Sequence, residues 1–396
     1  MEEKTYLSER VKPLQASAIR EMFKLMADPE VISLAGGSPA PELFPSEELS
    51  KIAGKILMTN PTGALQYGTT DGYGPLKELV AQRVKKINSM GDSDKILITT
   101  GAQQGIDLVI RILVNDGEDV VVEAPSFVGT LNSLRASQAK LHGVPVQEDG
   151  MDMDALEQVL KNNDVKLIYT IPTFQNPSGI TMSLAKRKRM LELAKQYDCI
   201  ILEDNPYGDL RFGGEDVPTV KSLDTEGRVI YVGTFSKILS PGLRIGYTVA
   251  SNEFSDRMEV VKQANDVHTP TLTQMMAAEF MKKYDIDQYI EKGKALYGEK
   301  CAWMLECMDR YFPDSVSWTR PEGGLFIWCT LPEGTNTNEL LKESLKYKVA
   351  FVAGNSFSVE IEKPSRFLRL NYSTMSKEKI EQGIKALGQV LSEQLG

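Results

Sequence analysis

Short apolar runs alternate with helix-like segments through the middle of the chain. Residues 165–171, 199–203 and 229–235 are largely continuous apolar runs, whereas the helical segment 183–197 carries Lys and Arg on its outer face. Continuous apolar strands are typical of a mostly parallel sheet whose two faces are both covered by helices. The pattern therefore predicts an α/β fold, with a large three-layer α/β/α domain and about seven strands.

The two ends of the chain show a different pattern from this middle part. Residues 13–26 have the spacing of an amphipathic helix, and a short strand is predicted at 31–34. Beyond residue 252 helical patterns prevail, and from about residue 315 short strands and two helices follow. These later strands are predicted near residues 315–319, 325–329, 349–351 and 367–371. We predict a large domain over residues 51–289 and a small α+β domain built from residues 1–50 and 290–396.

Composition and charge narrow the possible functions. The chain has 396 residues and a formal net charge of -9 without a long basic run, which argues against nucleic acid or an anionic membrane as its main partner. No apolar run approaches the roughly 18 residues of a membrane helix, and the start of the sequence has no apolar signal core. The four cysteines form no C-x-x-C pair, and the two histidines lie far apart. We therefore expect a cytoplasmic protein with buried thiols and no metal site.

The segment 233–246, G-T-F-S-K-I-L-S-P-G-L-R-I-G, lies between two apolar runs. A lysine held between buried strands has a lowered pKa, and its neutral amine can form a Schiff base with an aldehyde. The nearby Thr234, Ser236 and Arg244 suit a phosphate dianion. An aldehyde and a phosphate on one cofactor indicate pyridoxal phosphate bound at Lys237. Read alone, the segment is equally compatible with a surface hairpin.

Three other polar loops follow predicted strands, at the carboxyl ends where open α/β sheets bind ligands. The sequence G-A-Q-Q-G begins at Gly101 and opens a helix, which suits a phosphate. The loop P-T-F-Q-N-P-S-G fixes Asn176 ahead of a proline, and Asp204 and Tyr207 follow the next strand. Four such loops in this order are not expected from packing alone.

These motifs resemble those of a known enzyme family. The chain resembles the fold-type I pyridoxal-phosphate enzymes, class I and II aminotransferases. The resemblance is carried by N-P-S-G, by D-N-P-Y and by F-S-K followed by P-G-L-R-I-G, and it covers nearly the whole chain. Within this family, the chain resembles the branch that contains the 2-aminoadipate, kynurenine and aromatic aminotransferases. The segments that carry this resemblance are S-A-I-R-E, L-A-G-G-S-P, L-Q-Y-G and F-L-R-L-N-Y. The resemblance implies transfer of an amino group from an L-amino acid of the 2-aminoadipate, aromatic or branched-chain type to a 2-oxo acid such as 2-oxoglutarate, by ping-pong kinetics through pyridoxamine phosphate.

The resemblance also implies a role for each site residue. Lys237 holds the cofactor and carries a proton, Asp204 pairs with the pyridine N–H, and Asn176 and Tyr207 contact its phenolic oxygen. The other implied cofactor contacts are Gly101, Ala102, Gln103, Phe127, Thr234, Ser236, Arg244 and Tyr67, and the implied substrate contacts are Arg369, Gly37, Asn176 and Arg20. Among these, Tyr67 resembles a tyrosine that reaches the phosphate in the neighbouring subunit, which implies a homodimer with shared active sites.

Other functions stay open at this point. A carbon–sulfur β-lyase would keep the same fold and cofactor but release pyruvate and ammonia. A cofactor-sensing regulatory domain is less expected, because the chain is acidic and carries no basic helix-turn-helix extension. A nicotinamide dehydrogenase is poorly supported, because no strand–G-x-G-x-x-G–helix unit is present.

Overall fold

A computed structural model describes Tyr6 and residues 8–12 and 30–395 of the chain. The helix predicted over residues 13–26, with Arg20, lies outside these residues. The other predicted helices and strands are present, most of them within two or three residues of their expected bounds. Four short helices and strands were not predicted: the helices Pro61–Leu65 and Val220–Leu223 and the strands Gly150–Met151 and Val352–Ala353.

The strands of the described residues are numbered in chain order. They are β1 (Ile32–Ser33), β2 (Asp94–Thr99), β3 (Asp119–Ala124), β4 (Lys140–Gln147), β5 (Gly150–Met151), β6 (Val165–Thr170), β7 (Ile200–Asp204), β8 (Val229–Thr234), β9 (Gly246–Ser251), β10 (Ser317–Trp318), β11 (Phe326–Thr330), β12 (Val349–Ala350), β13 (Val352–Ala353) and β14 (Phe367–Asn371).

The α-helices of the same residues are Ser46–Thr59, Pro61–Leu65, Gly74–Lys86, Ala102–Leu113, Val128–Ala136, Met153–Asn162, Leu184–Gln196, Val220–Leu223, Asn252–Asn265, Thr271–Lys283, Ile286–Tyr311, Thr337–Lys346 and Lys377–Leu395. Short 3-10 turns lie at Glu9–Val11, Pro41–Leu43, Pro241–Leu243 and Gly354–Phe357. None of these described helices combines the length and the apolar composition needed to cross a bilayer.

The large sheet has the strand order β2-β9-β8-β7-β6-β3-β4-β5. The strands from β8 to β4 in this order are parallel to one another. The strand β9 runs antiparallel to both β8 and β2, and the two-residue β5 returns antiparallel to β4 at the other edge. The prediction of a mostly parallel sheet of about seven strands is confirmed, and β5 adds a short eighth strand.

Both faces of this sheet are buried, as the apolar strands predict. In β7, the side chain of Leu202 packs in one core with Ile106 of the helix Ala102–Leu113. The neighbouring Ile201 packs in a second core with Leu156 and Met190 from two other helices. Because successive strand residues point to opposite faces, an unbroken apolar strand serves two helical layers at once. The predicted three-layer α/β/α arrangement is confirmed.

The two ends of the described chain meet in smaller sheets. The strand β1 pairs in parallel with β12, and a separate antiparallel sheet has the order β10-β11-β14-β13. The strand predicted near residues 349–351 is present as β12, but the sequence did not predict the separate strand β13 that follows it. The chain forms β12 beside β1 and then, after Phe351, β13 beside β14. The helices Ser46–Thr59 and Ile286–Tyr311 run across the expected domain boundaries near residues 50 and 290, and the division into two domains stays a prediction.

A close backbone approach connects β9 to the loop after β2. A Cβ atom at Gly246 would lie 2.5 Å from the Gly101 carbonyl carbon and 2.6 Å from the Ala102 nitrogen, both of them backbone atoms. Only glycine allows this approach, because neither backbone segment can move aside without disturbing the pairing of β2 with β9.

We expect Gly246→Ala to lower the free energy of unfolding by about 1–3 kcal/mol, because the added methyl group overpacks this contact. The matched control is Gly54→Ala, in the exposed middle of a helix, where an added Cβ meets nothing within 4 Å. This control should raise stability by roughly 0.5–1 kcal/mol. Urea or thermal unfolding measures both changes, and equal effects of the two substitutions would contradict the steric argument.

Candidate active site

A cavity of about 280 Å³ lies at the carboxyl ends of the central parallel strands. Its walls contain most of the residues that the sequence singled out. These are Gly37, Ala102, Gln103, Phe127, Asn176, Asp204, Tyr207, Thr234, Ser236, Lys237, Arg244 and Arg369. Gly101 lies directly behind Arg244, whereas Tyr67 does not line this cavity and Arg20 is outside the described residues. Most of these residues lie on the loops after β2, β6, β7 and β8, as expected, whereas Gly37 follows β1, Phe127 follows β3 and Arg369 lies on β14.

Lys237 lies in the loop between β8 and β9, and its ammonium points into the cavity. Its Nζ donates a hydrogen bond to the Gly37 carbonyl oxygen at 2.7 Å and lies 5.9 Å from the centre of the Tyr207 ring. Burial and the positive charges of Arg369 and Arg244 lower the pKa of Lys237 to about 8, against a weaker opposing effect of Asp204. A neutral amine is therefore accessible near physiological pH, as covalent chemistry with a carbonyl compound requires.

Asp204 is the last residue of β7 and is buried at the inner wall of the cavity. Its Oδ2 accepts a hydrogen bond of 2.8 Å from the Tyr169 hydroxyl, whereas Oδ1 has no hydrogen-bond partner among the described residues. Burial raises the pKa of Asp204 to about 7, although the Tyr169 hydrogen bond and the Lys237 charge lower it. A buried carboxylate oxygen of this kind calls for a donor, and a protonated ring nitrogen would satisfy it.

Arg369 projects from β14 towards the sheet. Its Nη1 donates to Asn176 Oδ1 at 2.9 Å, and its Nη2 donates to the Ala35 carbonyl oxygen at 2.8 Å. The guanidinium lies 4.0 Å from the centre of the Phe326 ring and 5.0 Å from that of Phe357. Burial lowers the pKa of Arg369 to about 10, so it stays cationic at neutral pH. The side chain is a buried, planar cation suited to a carboxylate.

A group of hydroxyl and backbone donors forms the opposite end of the cavity. The helix Ala102–Leu113 begins after Gly101 with no side chain capping its first turn. Thr234 Oγ1 donates to Ser236 Oγ at 2.9 Å, and both side chains line the cavity together with Arg244. Gly101 has φ +77°, and a Cβ there would overlap the Arg244 guanidinium. An open helix N-terminus, two hydroxyls and an arginine fit a phosphate group.

Aromatic and phenolic groups complete the walls. Phe127 lines the cavity just before the helix Val128–Ala136, where a planar ring can lie against it. Burial raises the pKa of Tyr207, so its hydroxyl remains a hydrogen-bond donor at neutral pH. The Gln103 side chain is used elsewhere, because it donates to the Gly129 carbonyl oxygen at 3.2 Å and to Ser133 Oγ at 3.0 Å. Only the backbone of Gln103 is then available to the cavity.

Pyridoxal phosphate fits this donor set. The unpartnered Asp204 oxygen, the uncapped helix and the Lys237 amine match the ring nitrogen, the phosphate and the aldehyde of that cofactor. The sequence did not identify Tyr169, because nothing distinguishes it from the other residues of the apolar strand β6. It also did not identify the aromatic rings of Phe326 and Phe357 beside Arg369. No local signal marks any of the three, because their role depends on which strand lies next to which.

Tyr67 lies on the surface, away from the cavity of its own chain. Its side chain is 80% exposed, and its ring meets the His268 ring edge-on at a centroid distance of 5.8 Å. Met58 and Leu65 are also largely exposed nearby in sequence, at 82% and 70%. The chain by itself therefore does not bring Tyr67 to the site that the sequence assigned to it.

Known proteins resemble this chain over nearly its full length. The aminotransferase class I and II family matches residues 30–387. The chain is 42% identical to the aromatic-amino-acid aminotransferase 1 of Thermococcus litoralis, over 98% of this chain and 95% of that protein.

Two solved structures share the fold closely. The kynurenine aminotransferase of Pyrococcus horikoshii, in complex with PMP, has a TM-score of 0.95 at 39% identity, over 99% of this chain and 98% of that chain. The alpha-aminoadipate aminotransferase of Thermus thermophilus, complexed with N-(5'-phosphopyridoxyl)-L-leucine, has a TM-score of 0.91 at 39% identity, over 98% of each chain. The predicted fold type and pyridoxal phosphate as the cofactor are confirmed, and the chain belongs to the class I and II aminotransferases.

Proposed function

We propose that this aminotransferase takes the amino group of an aromatic or 2-aminoadipate-type L-amino acid and passes it to a 2-oxo acid such as 2-oxoglutarate. The observation that carries the proposal is the position of Lys237, which shares one cavity with Asp204 and Arg369. These three groups supply an amine, a buried carboxylate and a carboxylate-binding cation. Similar chains named aromatic and alpha-aminoadipate aminotransferases support this range of substrates.

Pyridoxal phosphate supplies an aldehyde that holds the amino group and a ring that accepts electrons from the substrate Cα. Lys237 then acts as the acid and base: its free Nζ takes the proton from the substrate Cα and returns one to the cofactor. A pKa of about 8 suits both directions of this transfer near neutral pH. With the cofactor bound, Asp204 would accept a hydrogen bond from the ring N–H and so keep that nitrogen protonated. The Tyr207 hydroxyl and the Asn176 amide would hold the phenolic oxygen by hydrogen bonds.

Substrate binding falls to Arg369, whose planar guanidinium can hold the α-carboxylate with two parallel hydrogen bonds. Asn176 and the Gly37 backbone lie beside it and orient the amino acid. Phe326 and Phe357 cover the guanidinium and give this part of the cavity an apolar surface, which favours a large apolar side chain. For Arg20 we keep the proposal that it contacts a long or acidic substrate side chain.

We further propose a homodimer with shared active sites, in which Tyr67 reaches the phosphate bound by the neighbouring subunit. Its side chain is 80% exposed and follows a segment that also exposes Met58 and Leu65, as a surface that packs against a second copy would. Such an arrangement would explain why Tyr67 lies away from the cavity of its own chain.

A cytoplasmic location is our proposal for the compartment. The cysteines Cys199, Cys301, Cys307 and Cys329 are all buried and unpaired. Burial raises the pKa of the Cys199 thiol to about 12, so the thiol stays protonated and unreactive. Free, buried thiols are typical of proteins from a reducing compartment.

Replacing Lys237 by Ala should abolish covalent attachment of the cofactor and slow amino transfer by at least about 10³-fold. Borohydride reduction of the wild-type holoenzyme, followed by peptide mapping, should label only the peptide that contains Lys237. Lys262 is an internal control, since its side chain is also buried but pairs with Asp266 outside the cavity. Label on other lysines, or none at all, would contradict the assignment.

The wild-type holoenzyme can also be used to test whether the reaction is amino transfer or β-elimination. Donor amino acids (2-aminoadipate, kynurenine, phenylalanine, leucine and glutamate) should each be tested with 2-oxoglutarate. Stoichiometric formation of pyridoxamine phosphate from a donor alone would support the proposal. Release of pyruvate and ammonia from cystathionine, without that product, would indicate the β-lyase instead.

Arg369→Lys should lower kcat/KM for the amino acid by roughly 100-fold, because a lysine cannot reproduce two parallel hydrogen bonds to a carboxylate. Arg366→Lys is the matched control on the segment that leads into β14, where Arg366 forms a partly exposed ion pair of 2.9 Å with Glu333. This control should change kcat/KM by less than about twofold. Steady-state kinetics that showed similar losses for both variants would remove the carboxylate-binding role.

Tyr67→Phe should weaken cofactor binding by roughly tenfold, because one hydrogen bond to a phosphate is lost. The matched control is Tyr347→Phe, whose hydroxyl bonds to Glu393 on the surface. In a hybrid dimer of one Tyr67→Phe and one Lys237→Ala subunit, one of the two sites combines an unchanged Lys237 with an unchanged Tyr67 from the other subunit. That site should bind the cofactor with wild-type affinity, as measured by equilibrium dialysis. If the hybrids gain no such site, Tyr67 does not act across the interface.

A further inference from the structure

Tyr169 and Asp204 meet on one face of the central sheet. Tyr169 of β6 pairs in register with Leu202 of β7, and Asp204 lies two residues further along β7, on the same face as Leu202. The Tyr169 side chain therefore spans to the end of the neighbouring strand, where its hydroxyl donates to Asp204 Oδ2 at 2.8 Å. Tyr169 is 0% exposed and Asp204 is 2% exposed. The contact is thus shielded from water.

Apart from Asp204 and the buried Thr130 hydroxyl, the surroundings of Tyr169 are largely apolar. It belongs to the core formed by the helix Ala102–Leu113 and the strands beneath it, with Ile106, Leu167 and Ile171 among its members. A phenylalanine ring would fill the same volume in this core. The hydroxyl is therefore not required for packing, and its hydrogen-bond acceptor in the core is the Asp204 carboxylate.

Few titratable groups lie near Asp204. Tyr169 faces it from β6, Lys237 faces it from the loop after β8, and Tyr207 faces it from the loop after β7. Glu123 of β3 acts on it at longer range. Burial raises the pKa of Asp204 to about 7, and the Tyr169 hydrogen bond is the strongest effect in the opposite direction. The pKa of Tyr169 itself is raised well above its ordinary value, so this hydroxyl always carries its proton.

We propose that Tyr169 is a positioning residue for the cofactor ring: by donating to Oδ2 it keeps Asp204 ionised and leaves Oδ1 to face the ring nitrogen. The inference rests on the cofactor-binding role proposed above for Asp204. Without the Tyr169 hydroxyl, a buried Oδ2 would have no donor, and the carboxyl group would take up a proton more readily. A protonated Asp204 no longer holds the proton on the ring nitrogen.

The test compares Tyr169→Phe with the matched control Tyr231→Phe in the holoenzyme. Tyr231 is also a buried strand tyrosine, on β8 next to β7, but its hydroxyl accepts from Asn205 Nδ2 at 3.0 Å. Each variant is loaded with pyridoxal phosphate labelled with ¹⁵N in the ring, and NMR reports whether that nitrogen is protonated. The pH profile of kcat and the cofactor Kd are measured on the same samples.

For Tyr169→Phe we expect the ring ¹⁵N resonance at neutral pH to move towards the unprotonated value and the cofactor Kd to rise about tenfold. The acid limb of the kcat profile should move up by about one pH unit, because Asp204 must be ionised and its pKa has risen. KM for the amino donor should change less than about twofold. Tyr231→Phe should leave the ¹⁵N resonance and the acid limb in place.

An unchanged ¹⁵N resonance and acid limb in Tyr169→Phe would overturn the inference, and so would equal shifts in Tyr231→Phe. A second measurement uses the Asp204→Asn background, where the amide cannot ionise and Tyr169→Phe should alter neither the ¹⁵N resonance nor the cofactor Kd further. An additional shift in that background would also overturn it. Failure of the wild-type protein to form the Lys237 adduct would instead contradict the proposed function, which makes the two failures distinguishable.

Discussion

The candidate active site depends on holding three charged side chains at one cavity while keeping each in a useful ionisation state. Burial and the positive charges of Arg369 and Arg244 lower the pKa of Lys237 to about 8, so its ammonium is easily deprotonated. Burial raises the pKa of Asp204 to about 7, and the Tyr169 hydrogen bond and the nearby Lys237 ammonium act in the opposite direction. Arg369 remains cationic at neutral pH because burial lowers its pKa only to about 10. Each charge is stabilised by groups from a different part of the chain.

The fold makes this arrangement possible through the parallel sheet. Parallel strands end at one edge, so the loops after β6, β7 and β8 meet there although they are far apart in sequence. The antiparallel β9 then brings Gly246 against Gly101, which places the start of the helix Ala102–Leu113 beside Arg244. In this way a helix end, two hydroxyls and a guanidinium come together as a group of donors that fits a phosphate.

The substrate side of the cavity comes from the chain ends. Arg369 lies on β14, its partner Asn176 follows β6, and the Ala35 carbonyl oxygen follows β1. One guanidinium therefore connects the large sheet with both ends of the described chain. Any movement of these parts relative to one another would therefore alter the position of the Arg369 guanidinium in the cavity.

The sequence by itself determined the fold class, the cofactor and most of the residues in the cavity, because apolar strands followed by Gly- and Pro-rich polar loops are local patterns. Lys237, Asp204, Asn176 and Arg244 were all identified in this way. The tertiary structure alone decided what depends on neighbouring strands. It placed Tyr169 on Asp204 and separated β12 from β13, and it left Tyr67 on the surface. Strand order and side-chain contacts between strands arise from long-range packing, and residues adjacent in sequence carry no record of them.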